Sequence, residues 1–203
     1  MIKVALLGDS IRLIGYGKVL QDVLGDDFEV WQSKMNGRNA KYTLRALFDD
    51  AAAMKGTRIV HWNNGLWDIC NLFGDGTFTS EEEYVSTMLR MADIMLSRYD
   101  KVIFATTTPV SPLNLYDDNR DIERFNALIV PKLQEKGVII NDLYSLVAAD
   151  LDRYISEDTI HLSEEGVELC ARQVAEVIRQ VAETLPAESK DGALIEKEIG
   201  APV

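Results

Sequence analysis

The strongest constraint on this chain is its alternation of short apolar runs, rich in β-branched residues, with longer amphipathic ones. Residues 2–8 read IKVALLG, a run closed by Gly and expected as the first strand. The runs 28–31 (FEVW), 58–62 (RIVHW), 101–105 (KVIFA) and 138–141 (VIIN) have the same character. Between and after them, residues 13–24, 41–54, 80–99, 121–136 and 164–185 space their apolar residues as helices do. The helix over 80–99 opens with Ser80-Glu81-Glu82-Glu83, a capping-box pattern. Helices between successive strands imply a parallel sheet covered on both faces. Right-handed crossovers then wind it into a three-layer α/β/α sandwich, with a flavodoxin-like five-stranded parallel sheet of order 2-1-3-4-5. In such a sheet the ligand site lies beyond the carboxyl ends of the strands.

A chain of 203 residues suits one domain, expected over 1–185. Residues 186–203 mix charge, Gly and Ala and are expected as a tail, loose or in contact with a partner. The formal net charge of −12 repels phosphate backbones and polyanionic substrates, so no nucleic-acid partner is expected. No apolar run approaches the roughly 18 residues of a membrane span. The opening MIKVALLGDS is too short in its apolar part for a secretory signal, which gives a cytoplasmic expectation with Cys70 and Cys170 reduced and mostly buried. With two His, and no Cys or His neighbour at ligand spacing, neither a metal nor a cofactor is expected. The oligomeric state stays open.

Four segments carry chemistry, and the topology sends them to one mouth of the sheet. Gly8-Asp9-Ser10 ends the first strand, where a Ser has free N–H groups beside it. Alone this tripeptide reads as a turn or N-cap. Asp158-Thr159-Ile160-His161 lies in the loop before the last helix. A serine nucleophile needs a neutral imidazole to take its proton, and that imidazole needs a carboxylate on its other nitrogen. Asp and His three apart on a loop can meet that need. Gly37, in the loop after the second strand, lets backbone approach a ligand and present its N–H. Asn63 and Asn64 end the third strand, where a side-chain amide could donate to a developing oxyanion. His61, on the same strand, is expected as a buried structural His rather than a second base.

These blocks resemble the SGNH (GDSL-type) hydrolase superfamily over roughly residues 2–178. The Ser block is matched by Gly8-Asp9-Ser10, the His block by Asp158-x-x-His161 and the Gly block by Gly37. The run Gly37-Arg38-Asn39-Ala40-Lys41-Tyr42-Thr43 is similar to that of rhamnogalacturonan acetylesterases. The Asn block departs from the family's Gly-x-Asn-Asp, reading Trp62-Asn63-Asn64-Gly65. The resemblance implies Ser10 as nucleophile, His161 as base and Asp158 as its orienting carboxylate. It also implies an oxyanion hole from the backbone N–H groups of Ser10 and Gly37 and the amide of Asn63 or Asn64.

The expected activity is hydrolysis of short-chain, acetyl-like esters of carbohydrates or small metabolites. Arg38, Trp62 and Trp67 are candidate substrate contacts. No apolar run suggests a lipid groove. The alternatives are a lysophospholipase or thioesterase of the same superfamily, or a binding module on this fold without catalysis. A flavodoxin-like nucleotide-binding domain shares the strand pattern, but Gly8-Asp9-Ser10 offers a phosphate loop only one Gly.

Overall fold

The computed structural model describes residues 1–190. Five parallel strands form one sheet: Ile2–Gly8 (β1), Phe28–Gln32 (β2), Ile59–Asn63 (β3), Lys101–Ala105 (β4) and Ile139–Asn141 (β5). Their order is β2-β1-β3-β4-β5, as the alternation requires. The helices are Leu20–Leu24 (α1), Ala40–Asp49 (α2), Leu66–Ile69 (α3), Glu81–Arg98 (α4), Asn119–Glu135 (α5), Leu143–Ala148 (α6), Leu151–Tyr154 (α7) and Glu164–Ala182 (α8). α4 packs against α2 and α5, while α8 packs against α1, α6 and α7.

The strands are apolar without alternation because both faces are covered: Val4, Ala5, Leu6 and Leu7 are all buried. α4 starts where Ser80 accepts a hydrogen bond from the Glu83 N–H, and three Glu in its first turn complement the helix dipole. α8 buries Cys170, Ala171, Val174, Ala175, Ile178 and Val181, a stripe at helical spacing.

Residues 13–24 do not form one helix. A wide π turn over Ile11–Gly15 and a 3₁₀ turn over Tyr16–Lys18 precede the short α1. Gly17 marks the break, since a Cβ there would come within 2.4 Å of Gln32 Oε1 and 2.6 Å of the Arg12 carbonyl oxygen. Only glycine allows that approach between the turn and the end of β2. The helix expected over 41–54 stops at Asp49. α3, α6 and α7 are too short to show a period in sequence. The expected tail begins tethered: Arg58 donates to the Pro186 carbonyl (2.6 Å), and the Lys190 N–H donates to Asp100 (2.9 Å). The rest of that tail, from residue 191, lies outside the described residues. Among the described residues no helix is long and apolar enough to cross a membrane, and Cys70 and Cys170 are free and buried.

Candidate active site

Ser10 follows β1 with helical backbone angles, at the head of the π turn. The turn is fixed from below. Asp9 is buried, and its Oδ1 accepts from the Ile11 N–H (3.0 Å) and the Asn63 side-chain amide (2.6 Å). Burial pushes the Asp9 carboxyl up to about 6, against the pull of those donors and of Arg12. Gly8 sits at φ 123°, pressed so close to Asn63 that any Cβ would collide with that residue's carbonyl oxygen.

The loop before α8 is closed by a bridge between Ile155 and Leu162 and by the Ser156 N–H on the His161 carbonyl (2.7 Å). Asp158 organises it. Its Oδ1 accepts from the Ile160 N–H (2.9 Å), the His161 N–H (2.8 Å) and the Ser156 hydroxyl (2.9 Å). Its Oδ2 lies 2.6 Å from His161 Nδ1. Partial burial pushes the Asp158 carboxyl up, but these donors outweigh it and hold the group well below the usual carboxylate range. His161 Nε2 then lies 2.8 Å from Ser10 Oγ, joining residues 151 positions apart. An ionised carboxylate on Nδ1 leaves Nε2 as the acceptor of the Ser10 proton, which is what an activated serine requires. Ser10 and His161 line a small cavity of about 40 Å³ with Ile11, Ile14, Gly15 and Leu162.

The remaining expected residues divide. The Asn63 amide spends one N–H on Asp9 and its Oδ1 accepts from the Tyr16 hydroxyl (3.4 Å), which leaves the second N–H for another acceptor. The expectation for Asn64 is corrected. It is fully buried, and its amide donates to the Arg38 carbonyl (2.9 Å) and to Thr43 Oγ1 (3.0 Å), so both N–H groups are used. Gly37 is engaged as the structure stands. Its N–H donates to the Gly8 carbonyl at 2.8 Å, in a contact tight enough that a Cβ on Gly37 would meet the same oxygen at 2.5 Å. Trp62 is not at the surface. It is wholly buried with its ring 5.0 Å from that of Phe104, because β3 is covered on both faces. Trp67 is 42% exposed on α3, and Arg38 is exposed with its guanidinium 5.0 Å over the Tyr42 ring. His61 is buried, edge-on to Tyr16 and 3.2 Å from the Asn141 amide, and burial pushes its pKa down to about 3. It is a neutral structural residue, as expected. Among the described residues no group of three or more His, Cys, Asp or Glu is placed to hold a metal ion.

Two supports escaped the sequence reading. Asp9 belonged to a quoted motif but carried no role. Arg12, wholly buried, binds four oxygens under the site. Its one signal was a charge inside the apolar run Ile11-Arg12-Leu13-Ile14.

No protein-family model and no curated protein sequence matches the chain. Solved structures do. The lipase/acylhydrolase from Enterococcus faecalis superposes with a TM-score of 0.74 at 20% identity, over 93% of this chain and 99% of that one. An acetylxylan esterase from Geobacillus stearothermophilus gives 0.72 at 15% identity, over 92% and 97%. A GDSL-like lipase from Bacteroides thetaiotaomicron gives 0.70 at 17% identity, over 88% of each chain. The chain therefore has the fold of the SGNH (GDSL-type) hydrolases. The motif resemblance and the three-dimensional likeness point to the same fold.

Proposed function

We propose that this chain is a serine esterase that cleaves short acyl esters through an acyl-enzyme on Ser10. The observation that carries the reading is the relay Ser10 Oγ, His161 Nε2, His161 Nδ1, Asp158 Oδ2, with contacts of 2.8 Å and 2.6 Å. Ser10 Oγ attacks the ester carbonyl carbon and its proton passes to Nε2. The carbonyl electron pair moves onto oxygen, facing the Ser10 N–H and the free Asn63 N–H. Collapse expels the alkoxide, which takes the proton from Nε2. Water then repeats the sequence on the acyl-Ser10, with His161 again as base. Asp158 keeps its charge throughout and holds the ring in one tautomer.

Substrate follows from size and charge. The cavity beside Ser10, walled by Ile11, Ile14 and Leu162, has room for about an acetyl group. Two of the fold relatives are described as acetyl xylan esterases, which fits a sugar-borne acetyl. Arg38 and Trp67 are the side chains we assign to the alcohol part of the substrate. The charge of −12 disfavours a polyanionic carrier. A soluble oligosaccharide or small metabolite is the natural target in this reading.

A lysophospholipase or thioesterase is the second reading. It is favoured by Leu72, Phe73, Phe78, Leu113 and Leu115, exposed in the loops after β3 and β4. Two measurements test the pair. Mass spectrometry after fluorophosphonate treatment should place a single adduct on Ser10, and an unmodified Ser10 would sink both readings. A chain-length series should favour acetyl over octanoyl esters by a large factor, and an optimum at octanoyl or beyond would replace the first with the second.

A further inference from the structure

Arg12 is a buried cation that the mechanism above does not use. Its side chain is fully enclosed, and its four hydrogen bonds go to neutral oxygens, none to a carboxylate. Nη2 donates to the Gly8 carbonyl (2.7 Å) and the Met35 carbonyl (3.0 Å). Nη1 donates to the Ser33 carbonyl (2.6 Å) and Gln32 Oε1 (3.2 Å). The guanidinium thus fastens the turn before Ser10 to the end of β2 and the loop that leads to Gly37. The planar fork of Arg makes such a bridge possible, and Lys could not reproduce it.

One of these oxygens has a second donor. The Gly8 carbonyl also receives the Gly37 N–H (2.8 Å). A buried carbonyl left without a donor is destabilising, because it has lost its water and gained no partner. With Arg12 in place, Gly37 can leave Gly8 and the carbonyl remains satisfied. The next residue, Arg38, is held at φ 46°, left-handed backbone that a non-glycine residue seldom adopts.

We propose that Arg12 is a positioning residue for the esterase site: it keeps the Gly8 carbonyl and the 33–37 loop in place so that the Gly37 N–H can turn from Gly8 to the oxyanion. The proposal rests on the esterase reading. It makes Gly37, packed on Gly8 two residues before Ser10, a donor recruited during the reaction.

The test uses Arg12→Met and Arg12→Lys in the full chain, with 4-nitrophenyl acetate and a fluorophosphonate as probes. The expected result for Arg12→Met is a kcat lower by about 10²-fold, the loss typical of one oxyanion donor, with KM within about threefold of wild type. Phosphonylation of Ser10 should slow by a similar factor. Arg12→Lys, which keeps the charge without the fork, should recover only part of the loss. A folded variant with wild-type kcat and phosphonylation rate overturns the proposal, as does a loss confined to KM. Should neither variant fold, a crystal structure of the wild-type phosphonyl adduct decides. Gly37 N within hydrogen-bond distance of the phosphonyl oxygen, with Arg12 still on Gly8, supports it. Gly37 N still on the Gly8 carbonyl overturns it. Wild-type protein that takes no adduct on Ser10 sinks the esterase reading itself, whereas an adduct with unchanged variants sinks only the role of Arg12.

Discussion

Asn63 and Asn64 are adjacent in the chain yet commit their amides to different parts of the molecule. Asn63 reaches Asp9 below Ser10 and keeps one N–H in reserve, while Asn64 ties the Arg38 carbonyl to Thr43 and keeps none. Consecutive residues at a strand end face opposite sides, so one can serve the mouth and the other the loop packed behind it. Asn63→Ala should therefore cost activity: a kcat lower by about 10²–10³ in steady-state assays. Asn64→Ala should cost stability instead, about 2 kcal/mol by denaturant unfolding, with residual kcat much closer to wild type. A reversed pattern would reassign the oxyanion donor.

Removal of the relay should separate activity from folding. Ser10 and His161 are only half-buried, so Ser10→Ala and His161→Ala should each lower turnover by at least about 10³-fold while the melting temperature barely moves. Asp158→Asn leaves the ring without its carboxylate and should fall by about 10²-fold or more. In the wild type Asp158 stays ionised far into acid, so acidification should not remove the carboxylate from the relay, and the activity ratio of Asp158→Asn to wild type should not approach one as the pH is lowered.

Asp68 offers a pH test of stability. It is buried, accepting from the Ala40 N–H (2.9 Å) and the Thr79 hydroxyl (2.9 Å). Burial pushes its pKa up to about 7 from an ordinary 3.8. A carboxyl raised on folding binds a proton that the unfolded chain has already released, so its contribution is full below 3.8 and is lost as pH rises through about 7. Asp9 acts in the same direction up to about 6. His61, pushed down to about 3, acts in the opposite one, since the unfolded chain takes up a proton near 6.5 that the folded protein refuses. The difference between Asp68→Asn and wild type isolates the first contribution. The variant should lose less stability than wild type between pH 4 and about 7, as read by unfolding curves across that range.

The amino-end pole of the sheet has its own ion pair. Arg58 Nε lies 2.5 Å from Asp100, whose side chain is fully buried and also receives the Lys190 N–H. Arg58→Met leaves that carboxylate without its cation and should destabilise by about 3 kcal/mol. Because the pair lies at the opposite ends of β3 and β4 from Ser10, kcat at low temperature should be unchanged. A loss of kcat without a loss of stability would mean the two poles are coupled.

The fold was legible because alternation is a property of the whole chain. Each strand run recurs within a residue or two of its place, with KVIFA standing as β4 unchanged. The turn after Ser10 was not legible, because its shape depends on Gln32 and Arg12 closing on Gly17, a contact between segments. The relay of Ser10, Asp158 and His161 could be read because the strand pattern sends both segments to one mouth of the sheet and both match motif blocks of the family the sequence resembles. The division of labour between Asn63 and Asn64, and the engagement of Gly37, could not be read. Both are decided by which carbonyl lies within 3 Å, and no spacing rule records that. Trp62 misled for another reason: β3 is covered on both faces, so an aromatic there is buried whichever face it takes.

The relay also has an order of arrival. All five strands are complete by Asn141, with β1 between β2 and β3, but the face that α8 covers stays open until residues 164–182 are made, and the turn that holds Ser10 packs against Leu162 and Val167. His161 comes after them, in a loop steadied by α7 and α8. A chain that stopped between residues 141 and 161 would have the serine without its base and would also leave the apolar face under α8 bare, so completing the fold and completing the relay fall to the same segment.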